Sequence, residues 1–408
     1  MQHGFLSAGM AFAEPSVDER LGAKGLLSGQ YRGTTASATP AKMPLYPLLD
    51  SVRAVAALGV FAYHANQSWL FPQALRPLAS HGNFGVPVFF ALSGFLVYRP
   101  FVLGLQRQER FAVKKFYRRR ARRIVPAYWF ALIMLAMFPG LSRFHDRWWQ
   151  LFLFGQGFDP GTVFGGGIGA AWSLCIEVSF YLLLPGYAIF IRWLMAAGRA
   201  RWWHELCVLS AMAGSTLLAH ALIGRSERWA LLGFTLPGTL YLFTSGMALA
   251  VVSVRTRWLE SRVVTSFPEA FWILAIGLYV VTSYALPADD LGSVHPLYGA
   301  IAALVILPAI VHPGPRFMSF VGWWPLRQMG LISYAFYLWH HALLNVAGRF
   351  LGYSVEAVST AFVVTCLISI FSYVVIEKPF MRRSPRPTRR PVPDHPRRWL
   401  FNAGGAEE

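Results

Sequence analysis

The first strongly apolar segment of the chain is LLDSVRAVAALGVFAYHANQSW, which runs from Leu48 to Trp69. It carries Asp50, Arg53 and His64 in a stretch that is otherwise typical of a membrane helix. In an α-helix, the eleven-residue separation of Arg53 and His64 corresponds to ~16 Å along the axis and about 20° of rotation, so both lie on one face, with Asp50 near it. Because charged and polar side chains are costly in lipid, this face predicts a helix that lines a polar cavity.

The composition is that of a membrane protein. Hydrophobic residues make up 55% of the 408 residues, charged residues make up 14%, and the mean hydropathy is +0.43. These values exclude an ordinary soluble domain. Windows of about twenty apolar residues predict spans near residues 46–66, 84–105, 124–141, 172–192, 204–223, 232–253, 269–286, 297–312, 331–350 and 357–377. The predicted fold class is all-α, a polytopic integral membrane protein with about ten transmembrane helices in one membrane domain, residues 45–380.

The basic residues follow this span pattern. The net charge is +18, and 30 of the 37 Lys and Arg residues lie on one set of loops and tails, against six on the other. By the positive-inside rule this bias predicts both termini in the cytoplasm and a multi-pass protein of the cell (plasma or inner) membrane. The charge is explained by topology and contact with the lipid bilayer, so no nucleic-acid partner is expected. The pattern indicates no particular oligomeric state.

The two ends of the chain differ in composition from the membrane domain. Residues 381–408 are rich in Pro and Arg and are predicted to be a disordered basic cytoplasmic tail. Residues 1–44 are predicted to be a disordered cytoplasmic tail. Two alternatives stand beside this: FLSAGMAFA imitates a signal peptide, and translation from Met43 would omit the segment.

The densest basic run is KKFYRRRARRIVPAYW, from Lys114 to Trp129, directly before the third span. One interpretation is a topology determinant that contacts lipid headgroups. The other is a polyanion site, because Arg120 and Arg123 are three residues apart on one helix and can hold phosphates together by charge-assisted hydrogen bonds.

Two further spans carry polar residues. In the fourth, AAWSLCIEVSFYLLLP contains Trp172 and Glu177, and the predicted topology puts Glu177 at a depth similar to that of His64. The two form a candidate polar site, with a helix-packing hydrogen bond as the alternative interpretation of Glu177. In the ninth, ISYAFYLWHH contains His340 and His341. Adjacent residues point in different directions on a helix, so one is expected to face a cavity and a shared metal ion is not expected.

These segments together resemble the acyltransferase-3 family of integral membrane O-acyltransferases. The resemblance rests on LDSVRAVAALGVFAYHA, FFALSGFLV, RRRARRIVPAYW, AWSLCIEVSFYLLLP, ISYAFYLWHH and EKPF, in this order, from Leu48 to Phe380. Some members of that family carry an extra span and an extracytoplasmic esterase-like domain after the tenth span; because a short basic tail follows it here, the stand-alone form is expected. The resemblance itself concerns the membrane domain. It also implies that an acyl group, acetyl by default and succinyl as an alternative, passes from cytoplasmic acyl-CoA to a hydroxyl of a cell-envelope glycan or another glycosylated acceptor, such as a macrolide.

The resemblance matches Arg53 and His64, Arg120 and Arg123, and Trp172 and Glu177 to residues that the family shares. Arg120 and Arg123 are expected to bind the phosphates of acyl-CoA, and Arg53 to steady the cofactor or its thioester. The predicted acceptor-binding residues are Trp172, Asp50 and His340. No metal ion is expected.

His64 is the expected catalytic group, with Arg53 and Glu177 assisting. An imidazole can take the proton of an acceptor hydroxyl, or it can carry the acyl group covalently, and Glu177 can orient His64 or bind the sugar. Two other classes compete with an enzyme. One is a proton-coupled transporter or exporter that uses intramembrane His and Glu. The other is a non-catalytic membrane scaffold, which leaves the shared face of Arg53 and His64 unexplained.

Overall fold

The computed structural model describes most of the predicted membrane domain. The described residues are 46, 48–67, 72–159, 161–163, 167–198, 201–223, 231–256, 259, 262–288, 291–310 and 321–382. The tail predicted for residues 1–44 lies outside this set, and so does the tail predicted for 381–408 from residue 383 onward. The described residues form helices joined by turns, and no strand occurs among them.

Each predicted span corresponds to one long helix, which confirms the all-α fold class. The long helices are α1 (Leu48–Asn66), α3 (Gly85–Gln106), α4 (Val113–Met137), α6 (Trp172–Ala196), α7 (Trp202–Ile223), α8 (Leu236–Arg255), α10 (Pro268–Ala285), α11 (Leu291–Ile310), α12 (Trp324–Leu351) and α13 (Val355–Ser372). Between and after them lie the short helices α2 (Arg76–Ser80), α5 (Phe144–Phe152), α9 (Arg262–Ser266) and α14 (Lys378–Arg382).

The length and composition of these helices fit a multi-pass membrane protein. Within the described part of the chain, six helical segments are long and apolar enough to cross a bilayer, and residues 294–310 form a shorter apolar helix. The largest difference from the predicted bounds is at α4, which begins at Val113 rather than at residue 124. Lys and Arg are good helix formers, so the basic run continues the membrane helix, and its arginines hold fixed positions relative to the bundle.

Small residues set the closest helix contacts around the site. On α3 and α8, Gly94 lies against the carbonyl oxygen of Phe243, and Gly246 lies against the carbonyl oxygen of Ala91; an added Cβ would overlap either oxygen. Gly330 of α12 packs in the same way on the backbone of α1. Close backbone approach through small residues is the usual means of helix association in membranes, and here it fixes α3 against α8 and α12 against α1.

We expect Gly246→Ala to destabilise the fold strongly. The new methyl group would collide with backbone, which cannot move aside as a flexible side chain can, so a loss of about 3 kcal/mol or more is expected. Gly277→Ala on α10 is the matched control, because no atom lies within 4 Å of the added Cβ. Apparent melting temperature and the monodisperse fraction in detergent measure both. Equal behaviour of the two variants would contradict the tight α3–α8 contact.

Candidate functional site

The continuous helix α1 places Arg53 and His64 in two different cavities. Arg53 lines a cavity of about 300 Å³, which we name the arginine cavity. His64 lines a cavity of about 690 Å³, which we name the histidine cavity. The shared helix face predicted from the sequence thus follows both cavities, with Arg53 near the start of α1 and His64 in its last turn.

The arginine cavity is lined by cations from two helices. Arg53 comes from α1, and Arg120 and Arg123 come from α4, one turn apart. Arg53 forms an ion pair with Asp50, with 3.0 Å between Nη1 and Oδ1. The Arg120 guanidinium lies 5.7 Å from the ring centroid of Tyr181, and its buried Nε has no hydrogen-bond partner. Guanidinium groups that converge on one space suit a ligand with phosphate or carboxylate groups.

The carboxylate of Glu177 lies in this same cavity. It accepts hydrogen bonds from the hydroxyls of Ser93 and Tyr181, and these two hydroxyls are 3.1 Å apart. Ser93 belongs to α3, so Glu177 links α3 to α6.

Glu177 therefore does not line the cavity that holds His64, although the sequence predicted a common polar site for the two. Glu177 is five residues beyond Trp172, which amounts to about 140° around α6 and ~7.5 Å along it. It shares a face with Ser173 and Tyr181, at i−4 and i+4, and these three line the arginine cavity. Trp172, which was predicted to contact the acceptor, lies on a different face and lines the histidine cavity.

The histidine cavity holds His64 beside a second imidazole. His64 Nδ1 is 3.3 Å from Gln67 Oε1, and its ring centroid is 4.5 Å from that of His341. Asn66, Gln67 and Asn83 also line this cavity, so three carboxamide side chains share it with the two imidazoles.

His340 was predicted to bind the acceptor, but the structure places His341 in the cavity instead. The His340 side chain is 1% exposed and packs behind His64 at 5.2 Å between ring centroids. Its Nδ1 is 2.8 Å from the carbonyl oxygen of Tyr337. The reason is helical phase, because His340 is in register with Phe336, Leu344 and Ala347 of α12, which belong to a buried apolar cluster. Although these three imidazoles are neighbours, no metal-binding group is present among the described residues.

Asp50 also differs from its predicted role at the acceptor. It lines neither cavity, and its carboxylate is held by Arg53 near the start of α1, at the opposite end of the helix from His64. An ion pair at i, i+3 satisfies both charges locally, so Asp50 orients Arg53 in the arginine cavity.

The two cavities meet at a wall. Val86, Phe90 and Tyr337 line both of them. One face of α12 runs past this wall, with Tyr334 in the arginine cavity, Tyr337 in the wall and His341 in the histidine cavity. A long ligand bound by the arginines would therefore point at the compartment that contains His64.

Sequence reasoning missed Ser93 and Tyr181 as polar members of the site, and His341 as its second imidazole. Tyr181 had a usable signal, since it is four residues beyond Glu177 and must share its face. His341 had a weaker one, since Tyr334 and His341 are seven residues apart on one helix. Ser93 had none, because its partner Glu177 lies 84 residues away.

Comparison with known proteins agrees with the family resemblance noted in the sequence. The sequence model of a family described as an acyltransferase domain matches residues 46–377. The peptidoglycan O-acetyltransferase OatA of Listeria monocytogenes is 26% identical over 376 residues, which cover 82% of this chain and 56% of that protein. The putative peptidoglycan O-acetyltransferase YrhL of Bacillus subtilis is 28% identical over 383 residues, covering 85% and 56%.

The O-acetyltransferase OatA of Staphylococcus aureus is 25% identical over 367 residues, covering 83% of this chain and 57% of that protein. The chain thus spans a little over half the length of these curated relatives. No solved structure was found to match it.

Proposed function

The chain belongs to the acyltransferase-domain family, and on that premise we propose that it is a membrane O-acyltransferase. It moves an acyl group, acetyl in the first place, from acyl-CoA to a hydroxyl of a cell-envelope glycan. The observation that carries this proposal is that the arginine and histidine cavities share three lining residues, because this sets an anion site and an imidazole in adjoining cavities.

The donor is assigned to the arginine cavity. CoA carries a pyrophosphate and a 3′-phosphate, and Arg120 and Arg123 offer two forked donors to such groups. Beyond the phosphates, the uncharged pantetheine arm is proposed to follow this cavity toward the wall. The positive-inside bias supports a cytoplasmic opening for this cavity, which is where acyl-CoA is found.

The acceptor is assigned to the histidine cavity. The Listeria monocytogenes relative is described as a peptidoglycan O-acetyltransferase and the Bacillus subtilis relative as a putative one, which makes a peptidoglycan sugar the first acceptor to test. The carboxamides of Asn66, Gln67 and Asn83 provide donors and acceptors for sugar hydroxyls, and Trp172 provides an aromatic surface.

The proposed chemistry uses His64 as a general base. His64 takes the proton from the acceptor hydroxyl while the hydroxyl oxygen bonds to the thioester carbonyl carbon. The carbon–sulfur bond then breaks, and the CoA thiolate leaves with the proton that His64 releases. The products are an ester and free CoA. Arg53, held by Asp50, and Glu177, held by Ser93 and Tyr181, position the donor on the other side of the wall.

An acceptor-dependent assay tests the proposal. We expect purified protein to release CoA thiol from acetyl-CoA only when peptidoglycan fragments are present, with one new O-acetyl ester per thiol. Succinyl-CoA in parallel tests the alternative donor, and heat-treated protein is the control. Folded protein that releases no CoA from either donor would contradict an acyltransferase, and transport of protons or glycan by the same sample would favour the transporter.

A further inference from the structure

The wall between the two cavities is held in place in two ways, by aromatic stacking on its α3 side, which we name the rigid side, and by hydrogen bonds on its α12 side, which we name the bonded side. The rigid side is formed by Val86 and Phe90, which are four residues apart on one face of α3. The Phe90 ring stacks on Phe243 at 4.6 Å between centroids, and Phe243 stacks on Phe180 at 4.2 Å. All three rings are buried. A stack that ties α3 to α8 and α6 leaves Phe90 little freedom to move aside for a ligand.

Tyr337 forms the bonded side. Its hydroxyl donates a hydrogen bond to the carbonyl oxygen of Ala170 at 2.9 Å and lies 2.7 Å from the hydroxyl of Ser173. Its ring packs edge-on against Phe89 at 5.9 Å. Both ends of this side chain are therefore fixed, so Tyr337, like Phe90, has little freedom to move aside for a ligand.

The residues shared by the two cavities are where the reactive carbonyl would lie. A donor held by its phosphates in the arginine cavity and an acceptor beside His64 can meet only where the two cavities join, which is at Val86, Phe90 and Tyr337. The acyl group is attached to that carbonyl carbon, so it must fit against the same three side chains. An acetyl group adds one methyl, whereas each further methylene has to be placed against a packed aromatic ring.

We infer that Val86, Phe90 and Tyr337 determine the length of the transferred acyl group and that they select acetyl against butyryl and longer chains. The inference rests on the proposed function, and it names three side chains as the determinants of donor selectivity. One added methylene in a close-fitting apolar pocket changes specificity by roughly 10- to 200-fold. We therefore expect wild-type kcat/KM for acetyl-CoA to exceed that for butyryl-CoA by at least about tenfold.

Two valines on one helix provide a matched test. Val86 and Val97 are eleven residues apart on α3, so they lie within about 20° of one another around the helix. Both are buried and both line the arginine cavity, but only Val86 also lines the histidine cavity. The same change, Val→Ala, at the two positions removes the same atoms, and only one position belongs to the wall.

The measured quantity is the ratio of kcat/KM for butyryl-CoA to that for acetyl-CoA, with peptidoglycan fragments as acceptor and CoA thiol and ester as readouts. We expect this ratio to rise about tenfold or more in Phe90→Ala and about three- to tenfold in Val86→Ala, and to stay within about twofold in Val97→Ala. Phe90→Leu, which keeps more of the packed volume, serves if Phe90→Ala does not fold.

The outcomes separate this inference from the function on which it rests. A wild-type protein that transfers acetyl, together with wall variants whose ratio matches that of Val97→Ala, would overturn the inference and leave the acyltransferase intact. Equal use of butyryl-CoA and acetyl-CoA by the wild type would overturn it as well. Folded wild-type protein that uses no acyl-CoA at all would overturn both.

Discussion

His64→Ala is expected to reduce acyl transfer by about 10²- to 10⁴-fold in kcat/KM, the range that a positioned general base contributes. His64 lies in the last turn of α1 and lines the histidine cavity, whereas the arginines that are proposed to hold the donor line the other cavity. The variant should therefore still bind acetyl-CoA. Ester formation on peptidoglycan fragments measures the first property, and thermal stabilisation by acetyl-CoA measures the second.

The control for this variant is His341→Ala. His341 lines the same cavity, and its ring lies 4.5 Å from that of His64. Removal of either imidazole therefore breaks this one contact and leaves a space of similar size next to the other imidazole. A base role predicts a much larger loss for His64→Ala than for His341→Ala. Similar losses in both would indicate that the pair acts by packing, and near wild-type turnover in folded His64→Ala would remove His64 from the mechanism.

The helices of the fold are predictable from the sequence because lipid imposes a simple rule. A span needs about twenty apolar residues, and all its backbone hydrogen bonds must be made within the helix. The polar face of α1 is predictable by the same logic, since Arg53 and His64 must avoid lipid. The start of α4 is less predictable, because the arginine run is too polar for a hydropathy window to include it in the span, although the helix begins at Val113.

The partners of each polar residue are not predictable in this way. The fourth span indicates that Glu177 avoids lipid, but its distance from Ser93 in the chain is 84 residues, and no local pattern links the two. Depth alone suggested His64 as its partner. Rotation decided the outcome, because the face of α6 that carries Glu177 also carries Tyr181 and turns toward the arginine cavity.

The adjacent histidines of α12 make the same point. The sequence predicts that one of His340 and His341 faces a cavity, since neighbours point about 100° apart. The choice between them depends on which face of α12 packs on α1, and Gly330 sets this by its contact with the backbone of Asp50. A close helix contact at a glycine eleven residues before His341, and so on nearly the same face of α12, thus favours His341 as the imidazole in the cavity.

Arg120→Ala with Arg123→Ala is expected to abolish thermal stabilisation by acetyl-CoA. A charge-assisted hydrogen bond contributes about 1.5–3 kcal/mol, so loss of two should weaken donor binding by roughly 10²- to 10⁴-fold. At a fixed acetyl-CoA concentration the stabilisation then disappears by mass action. KM for the donor should rise, with less effect on kcat, because these groups hold phosphates that are distant from the reacting carbon.

The matched control is Arg118→Ala with Arg119→Ala. These two arginines are exposed on the same helix and line neither cavity, yet their removal changes the net charge of α4 by the same amount. A donor site in the arginine cavity predicts that this pair keeps its stabilisation by acetyl-CoA. Equal loss in the two pairs would mean that acyl-CoA is attracted by the basic surface as a whole. If neither pair lost its stabilisation, the phosphates would not be bound by α4. The reason for placing the thioester at the wall would then be lost as well.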